Sequence, residues 1–183
     1  ALARRDLPLW KGHAATAGVV LLVSLTSLDE DLRTVMEPGA SSFAERLELL
    51  RDFKAAGAAT GILAMPFLPG LSDQEESIRR VYGAARELGV DFVMPGGLTL
   101  RPGRQKDLYL ATLGQFRPDL LPGVEKIYQE ARDSGAPSWE ARKALEKILA
   151  PIRRDSGLPF LLPHKIFGPI LPDHDSLRLL LRD

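Results

Sequence analysis

A chain of 183 residues that is 45% hydrophobic and 26% charged is long enough to bury one core and has an ordinary soluble composition. Lysine plus arginine and aspartate plus glutamate number 24 each, so no global field recruits nucleic acid, a membrane surface or an acidic partner. The absence of cysteine excludes disulfides and thiolate metal ligands from this chain.

Residues 5–15 read as a helix, and neither they nor the first few residues carry the long apolar core of a signal peptide. Gly18 then punctuates before residues 19–23, Val-Val-Leu-Leu-Val, whose β-branched content without alternation suits a strand covered on both faces. This run is too short to span a bilayer, so the expected compartment is the cytoplasm, with no membrane partner. Ser42 followed by Glu45 makes a capping box, and Phe43, Leu47, Leu50 and Phe53 or Lys54 recur at helical spacing until Gly57. Residues 61–68 form the next apolar strand, and Pro69-Gly70 turns the chain. Ser72 with Glu75 is read as the cap of a helix whose stripe is Ile78, Val81, Tyr82, Ala85 and Leu88, ended by Gly89. Residues 91–94 give a third strand, after which Pro95-Gly96-Gly97 lets the backbone bend or approach a neighbour closely.

Strand, helix, strand, helix, strand implies an α/β fold with parallel strands, either an open doubly wound sheet or part of a (β/α) barrel. Residues 106–116, 119–132 and 139–152 read as further helices, with Leu120, Val124, Ile127 and Ala131 as one stripe. From 158 to 175 prolines recur at 159, 163, 169 and 172, which suits an ordered tail laid over the body. The chain thus divides into a barrel portion over 1–100, a helical extension over 101–157 and a proline-rich tail over 158–183.

Residues that could carry chemistry gather where the strands end. Ser24 and Thr26 alternate with Val23 and Leu25, so both hydroxyls should point to one side, within reach of a ribose or carboxylate, or else cap their own loop. Glu37-Pro38-Gly39 is a turn with a carboxylate attached, more a loop tether than an acid or base. Arg46 lies one turn into its helix, where it could meet an anionic ligand or form a surface ion pair. Around Met65-Pro66, proline leaves backbone groups unpaired and available to a flat ring such as adenine. Arg101 and Arg104 could hold phosphate or remain solvated, and no phosphate loop or dinucleotide fingerprint occurs. His13, His164 and His174 lack ligand spacing, and only His164-Lys165 stays in view.

The joint order of Val23-Ser24-Leu25-Thr26-Ser27, Glu37-Pro38-Gly39-Ala40-Ser41-Ser42-Phe43 with Arg46, Met65-Pro66-Phe67-Leu68-Pro69-Gly70, and Gly96-Gly97-Leu98-Thr99-Leu100 resembles spore photoproduct lyase-like radical S-adenosylmethionine proteins over residues 19–128. The resemblance implies the later strands of a partial (β/α) TIM-type barrel, S-adenosylmethionine as cofactor, and a [4Fe-4S] cluster whose ligands lie outside this chain. It also implies that Ser24, Thr26, Arg46, Met65 and Pro66 belong to the cofactor site, Met65 acting through its backbone. A barrel segment that opens on a helix is expected to be part of a longer enzyme, its partner being the missing N-terminal part of the same barrel. The substrate stays open, and the neutral charge balance gives no support to nucleic acid. Two other readings are a redox-free (β/α) lyase or aldolase, disfavoured because the strands contain no lysine, and a non-catalytic interaction module.

Overall fold

The computed structural model describes residues 2–16, 18–129, 133–163 and 166. Helices α1 (Leu2–Arg5) and α2 (Leu7–Thr16) precede β1 (Val20–Ser24), which leads through α3 (Glu30–Met36) and α4 (Phe43–Ala55) to β2 (Ala59–Phe67). Helix α5 (Glu75–Leu88) then crosses to β3 (Phe92–Gly97), and α6 (Arg104–Phe116), α7 (Leu121–Ile127) and α8 (Trp139–Ser156) follow. The expected residues Ala131, Arg132, His164, Lys165, Pro169, Pro172 and His174 lie outside the described residues.

The three expected strands are parallel and adjacent, in the order β1-β2-β3, with Val23 opposite Ile62 and Ile62 opposite Val93. One face of the sheet is covered by helices. Val23, Leu25, Ile62, Ala64, Phe67 and Val93 pack with Phe43 and Leu50 of α4, Ile78, Val81 and Ala85 of α5, and Leu149 and Ile152 of α8. Pleating sends alternate side chains to the other face. There Leu22 is 41% exposed, and Leu63, Met65 and Met94 are half-buried. A second apolar cluster, built from Leu32, Leu68, Leu98, Leu100, Leu113, Val124 and Tyr128, sits at the carboxyl ends of the strands.

The two edges differ. Ala59 N donates to Val19 O and Leu25 N to Leu63 O, each at 2.9 Å, so the backbone groups of Val20, Leu22 and Ser24 point away from β2. On β3, Val93 N donates to Pro159 O at 2.9 Å, so the start of the proline-rich segment lies along the outer edge.

Local chemistry explains most of the helix boundaries. The Ser42 capping box forms, with Ser42 Oγ accepting from Glu45 N and the Glu45 carboxylate accepting from Ser42 N. The expected box at Ser72 does not form: α5 starts from Gln74, and Ser72 Oγ instead accepts from Leu68 N at 2.9 Å inside the turn. Helix α3 has its own cap in Asp29, whose carboxylate accepts from Asp31 N and Leu32 N, a signal the sequence reading passed over. The helix expected over 119–132 is the short α7, because Asp119 is held in the preceding turn by a two-point pair with Arg117. Helix α8 runs past Ile152 to Ser156, tolerating Pro151, and ends at Gly157 in the left-handed conformation, φ 68°.

Candidate functional site

The site is fastened at the segment joining α3 to α4. Glu37 caps α3, its N–H donating to Arg33 O at 2.7 Å, and Gly39 at φ 78° makes the turn that a side chain would strain. Arg33 Nη1 donates to Ala40 O at 2.8 Å, and Phe43 N donates to Glu30 Oε1 at 2.6 Å, so α3 grips both ends of the turn.

Arg46 secures the remainder. Its Nε donates to Ser41 O at 3.0 Å, Nη1 to Ser24 O at 3.0 Å and Nη2 to Glu37 Oε2 at 2.5 Å. The guanidinium also lies 5.1 Å from the centre of the Phe43 ring. The Ser24 carbonyl it takes is one that β1 turns away from β2, so a single guanidinium ties the strand's open edge to the loop. Thr26, 9% exposed, donates from Oγ1 to Glu37 Oε1 at 3.2 Å. Glu37 is therefore the tether the sequence suggested, but it also faces open space.

That space is a cavity of about 330 Å3 above the strand ends, lined by Ser24, Thr26, Met36, Glu37, Met65, Pro66, Leu68, Leu98, Gln105 and Tyr109. Four of the five expected site residues meet in it: Ser24, Thr26, Met65 and Pro66. Arg46 does not line it and acts from behind, with its side chain 10% exposed. The β2–β3 pairing breaks between Ala64 and Phe67, so Met65 and Pro66 stand outside the regular ladder at the cavity wall. Gly96 permits close approach on the same side: a Cβ there would come 3.3 Å from Met65 Cβ.

Glu37, Gln105 and Tyr109 were not expected in the site. Glu37 was visible in the Glu-Pro-Gly turn, but nothing in the sequence placed α6 across the strand ends. Burial pushes the Tyr109 phenol up to about 12, with Asp73 adding to the shift. Its hydroxyl is buried with no hydrogen-bond partner among the described residues. Arg101 and Arg104 are exposed and line neither this cavity nor the next. His13 is exposed, its ring 6.2 Å from that of Trp10.

A larger cavity, about 430 Å3, lies between the end of β3 and α8 and includes Asp73, Thr99, Tyr128, Arg142 and Arg153 in its walls. Gly97 lets α8 approach there, since a Cβ would meet Leu145 at 3.0 Å. None of the expected site residues lines it. Among the described residues no group of three or more histidines or carboxylates is placed to hold a metal ion. No helix among them is long and apolar enough to cross a membrane.

No known family's sequence profile matches the chain, and no solved structure does. Similar sequences are found among uncharacterized mycobacterial proteins. One from Mycobacterium bovis and one from Mycobacterium tuberculosis are each 30% identical over 151 residues, 82% of this chain and 43% of the relative. An uncharacterized protein of Acidianus two-tailed virus is 32% identical over 78 residues, 41% of this chain and 26% of that protein. The chain spans less than half the length of the curated relatives it matches.

Proposed function

We propose that the cavity above the strand ends binds the adenosyl part of S-adenosylmethionine, and that the chain forms the later strands of a spore photoproduct lyase-like radical enzyme acting on a substrate yet to be found. One observation carries the reading: Ser24, Thr26, Met65 and Pro66, chosen for that role from the sequence, line a single cavity. Its volume of about 330 Å3 falls within the usual range for small-ligand sites, roughly 300–1,000 Å3.

The donor set suits a nucleoside. Met36, Met65, Pro66, Leu68 and Leu98 offer apolar walls to a flat ring, and the backbone at Met65-Pro66 offers polar groups outside the ladder. Ser24 and Glu37 offer a hydroxyl and a carboxylate to a ribose. When bound, S-adenosylmethionine supplies an adenosyl group that reductive cleavage turns to hydrogen abstraction. The iron-sulfur cluster of such enzymes does not fit this chain, which has no cysteine, so its thiolate ligands would come from outside. The backbone groups of Val20 and Leu22, turned away from β2, would receive the preceding strand of the barrel. An aldolase-like Schiff base is less well supported, since no lysine lines the cavity among the described residues.

Equilibrium dialysis against labelled S-adenosylmethionine tests this. Ser24→Ala should weaken saturable binding by about 1–2 kcal/mol, the usual cost of leaving a polar partner unpaired. Equal binding by parent and variant would remove Ser24 from the site.

A further inference from the structure

Charge around the cavity is one-sided. Of the ten described residues that line it, only Glu37 is charged. Arg46 does not line the cavity, and each of its three nitrogens donates a hydrogen bond, to Ser41 O, Ser24 O and Glu37. Each Glu37 oxygen accepts one bond, from Thr26 and from Arg46, while a carboxylate offers about four acceptor sites. With 29% of its side chain exposed, Glu37 has acceptor capacity left for an occupant.

We propose that Glu37 selects the charge of that occupant, accepting hydrogen bonds from hydroxyl or ammonium groups and barring a phosphate. The ligand class is then an unphosphorylated adenosyl compound, neutral or cationic, a refinement that rests on the adenosyl reading above. A phosphate brings up to about two negative charges, with acceptor oxygens of its own, against the outward, negative end of the Glu37–Arg46 pair. The first turn of α6 reaches the cavity through Gln105, and its N-terminal amides favour an anion. That terminus carries only about half a positive charge, and the same turn contains the carboxylate of Asp107. Glu37 lines the cavity while its partner Arg46 does not, so the negative end of that pair faces the occupant and opposes a phosphate there.

Dialysis of the full chain against adenosine, S-adenosylmethionine and adenosine 5′-monophosphate, for the parent and Glu37→Gln, tests the assignment. The glutamine keeps one acceptor oxygen, for Arg46, and the Thr26 hydroxyl can turn to accept from its amide N–H. The parent should prefer adenosine and S-adenosylmethionine to the monophosphate by roughly tenfold or more, a like-charge penalty, and Glu37→Gln should narrow that ratio severalfold. Monophosphate binding as tight as that of adenosine overturns the role of Glu37 and leaves the adenosyl reading standing, whereas no binding of any of the three overturns both. Should the variant fail to fold, the parent alone decides: repulsion is screened at high salt, so a ratio that does not narrow between low and molar salt overturns the proposal.

Discussion

Arg46 is the residue on which the site's geometry depends most. It joins a strand edge, a helix start and the Glu37 carboxylate with three hydrogen bonds. Hydrogen bonds to charged groups contribute more than neutral ones, about 1.5–3 kcal/mol each where burial is deep. Because Glu37 remains partly exposed, Arg46→Met should cost about 2–3 kcal/mol in urea unfolding, toward the low end of breaking a buried pair. A loss under about 0.5 kcal/mol would match an ordinary surface ion pair and reduce Arg46 to a bystander. From sequence, Arg46 at a helix start suited either an anionic ligand or a surface ion pair. The spacing could not show that the anion is Glu37 of the same chain, because that contact closes a loop whose path depends on α3.

At the scale of elements, the pairing of β2 with β3 hinges on one glycine. A Cβ at Gly61 would come 2.3 Å from Phe92 Cζ, and Phe92 is fully buried, so its ring has little room to yield. Gly61→Ala should destabilise by about 1–3 kcal/mol, as overpacked cores do, and adding Phe92→Leu should recover part of the loss by making space. Thermal unfolding of the three variants checks this, and additive losses would contradict the contact. The strands themselves were legible because apolar runs of this length between capped helices leave few alternatives. Their ends were less so: β2 begins at Ala59 rather than Gly61, where Thr60 N donates to the Asp91 carboxylate at 2.7 Å, a tertiary contact. The false box at Ser72 has the same origin, since the hydroxyl serves the Leu68 turn instead of the helix.

For the whole molecule, the three tyrosines give a single readout. Burial raises the Tyr82 and Tyr109 phenols from 10.0 to about 12 and pushes Tyr128 higher still, with its hydroxyl donating to Leu98 O at 2.7 Å. Below pH 10 both folded and unfolded chains keep these protons, so the phenols do not affect stability there. Above it the unfolded chain ionises first, and stability falls as pH rises toward 12. Absorbance at 295 nm should stay flat through pH 10 and then rise together with loss of ellipticity. A separate tyrosinate rise near pH 10 in folded protein would show that the phenols are not buried.

The parallel α/β core was legible from periodicity and caps alone. The cavity was legible only in part, because its far wall comes from α6, which reaches the strand ends by packing its Leu113 into the cluster with Leu32, Leu68 and Leu98. Sequence spacing contains no record of that approach.

The chain has three methionines, and two of them, Met36 and Met65, line the cavity, while Met94 does not. Methyl-labelled methionine therefore makes the most direct probe of the central claim. In a carbon-proton correlation spectrum titrated with S-adenosylmethionine, the Met36 and Met65 methyls should shift saturably and Met94 much less. Shifts confined to Met94, or none at all at saturating ligand, would contradict an adenosyl site at the strand ends.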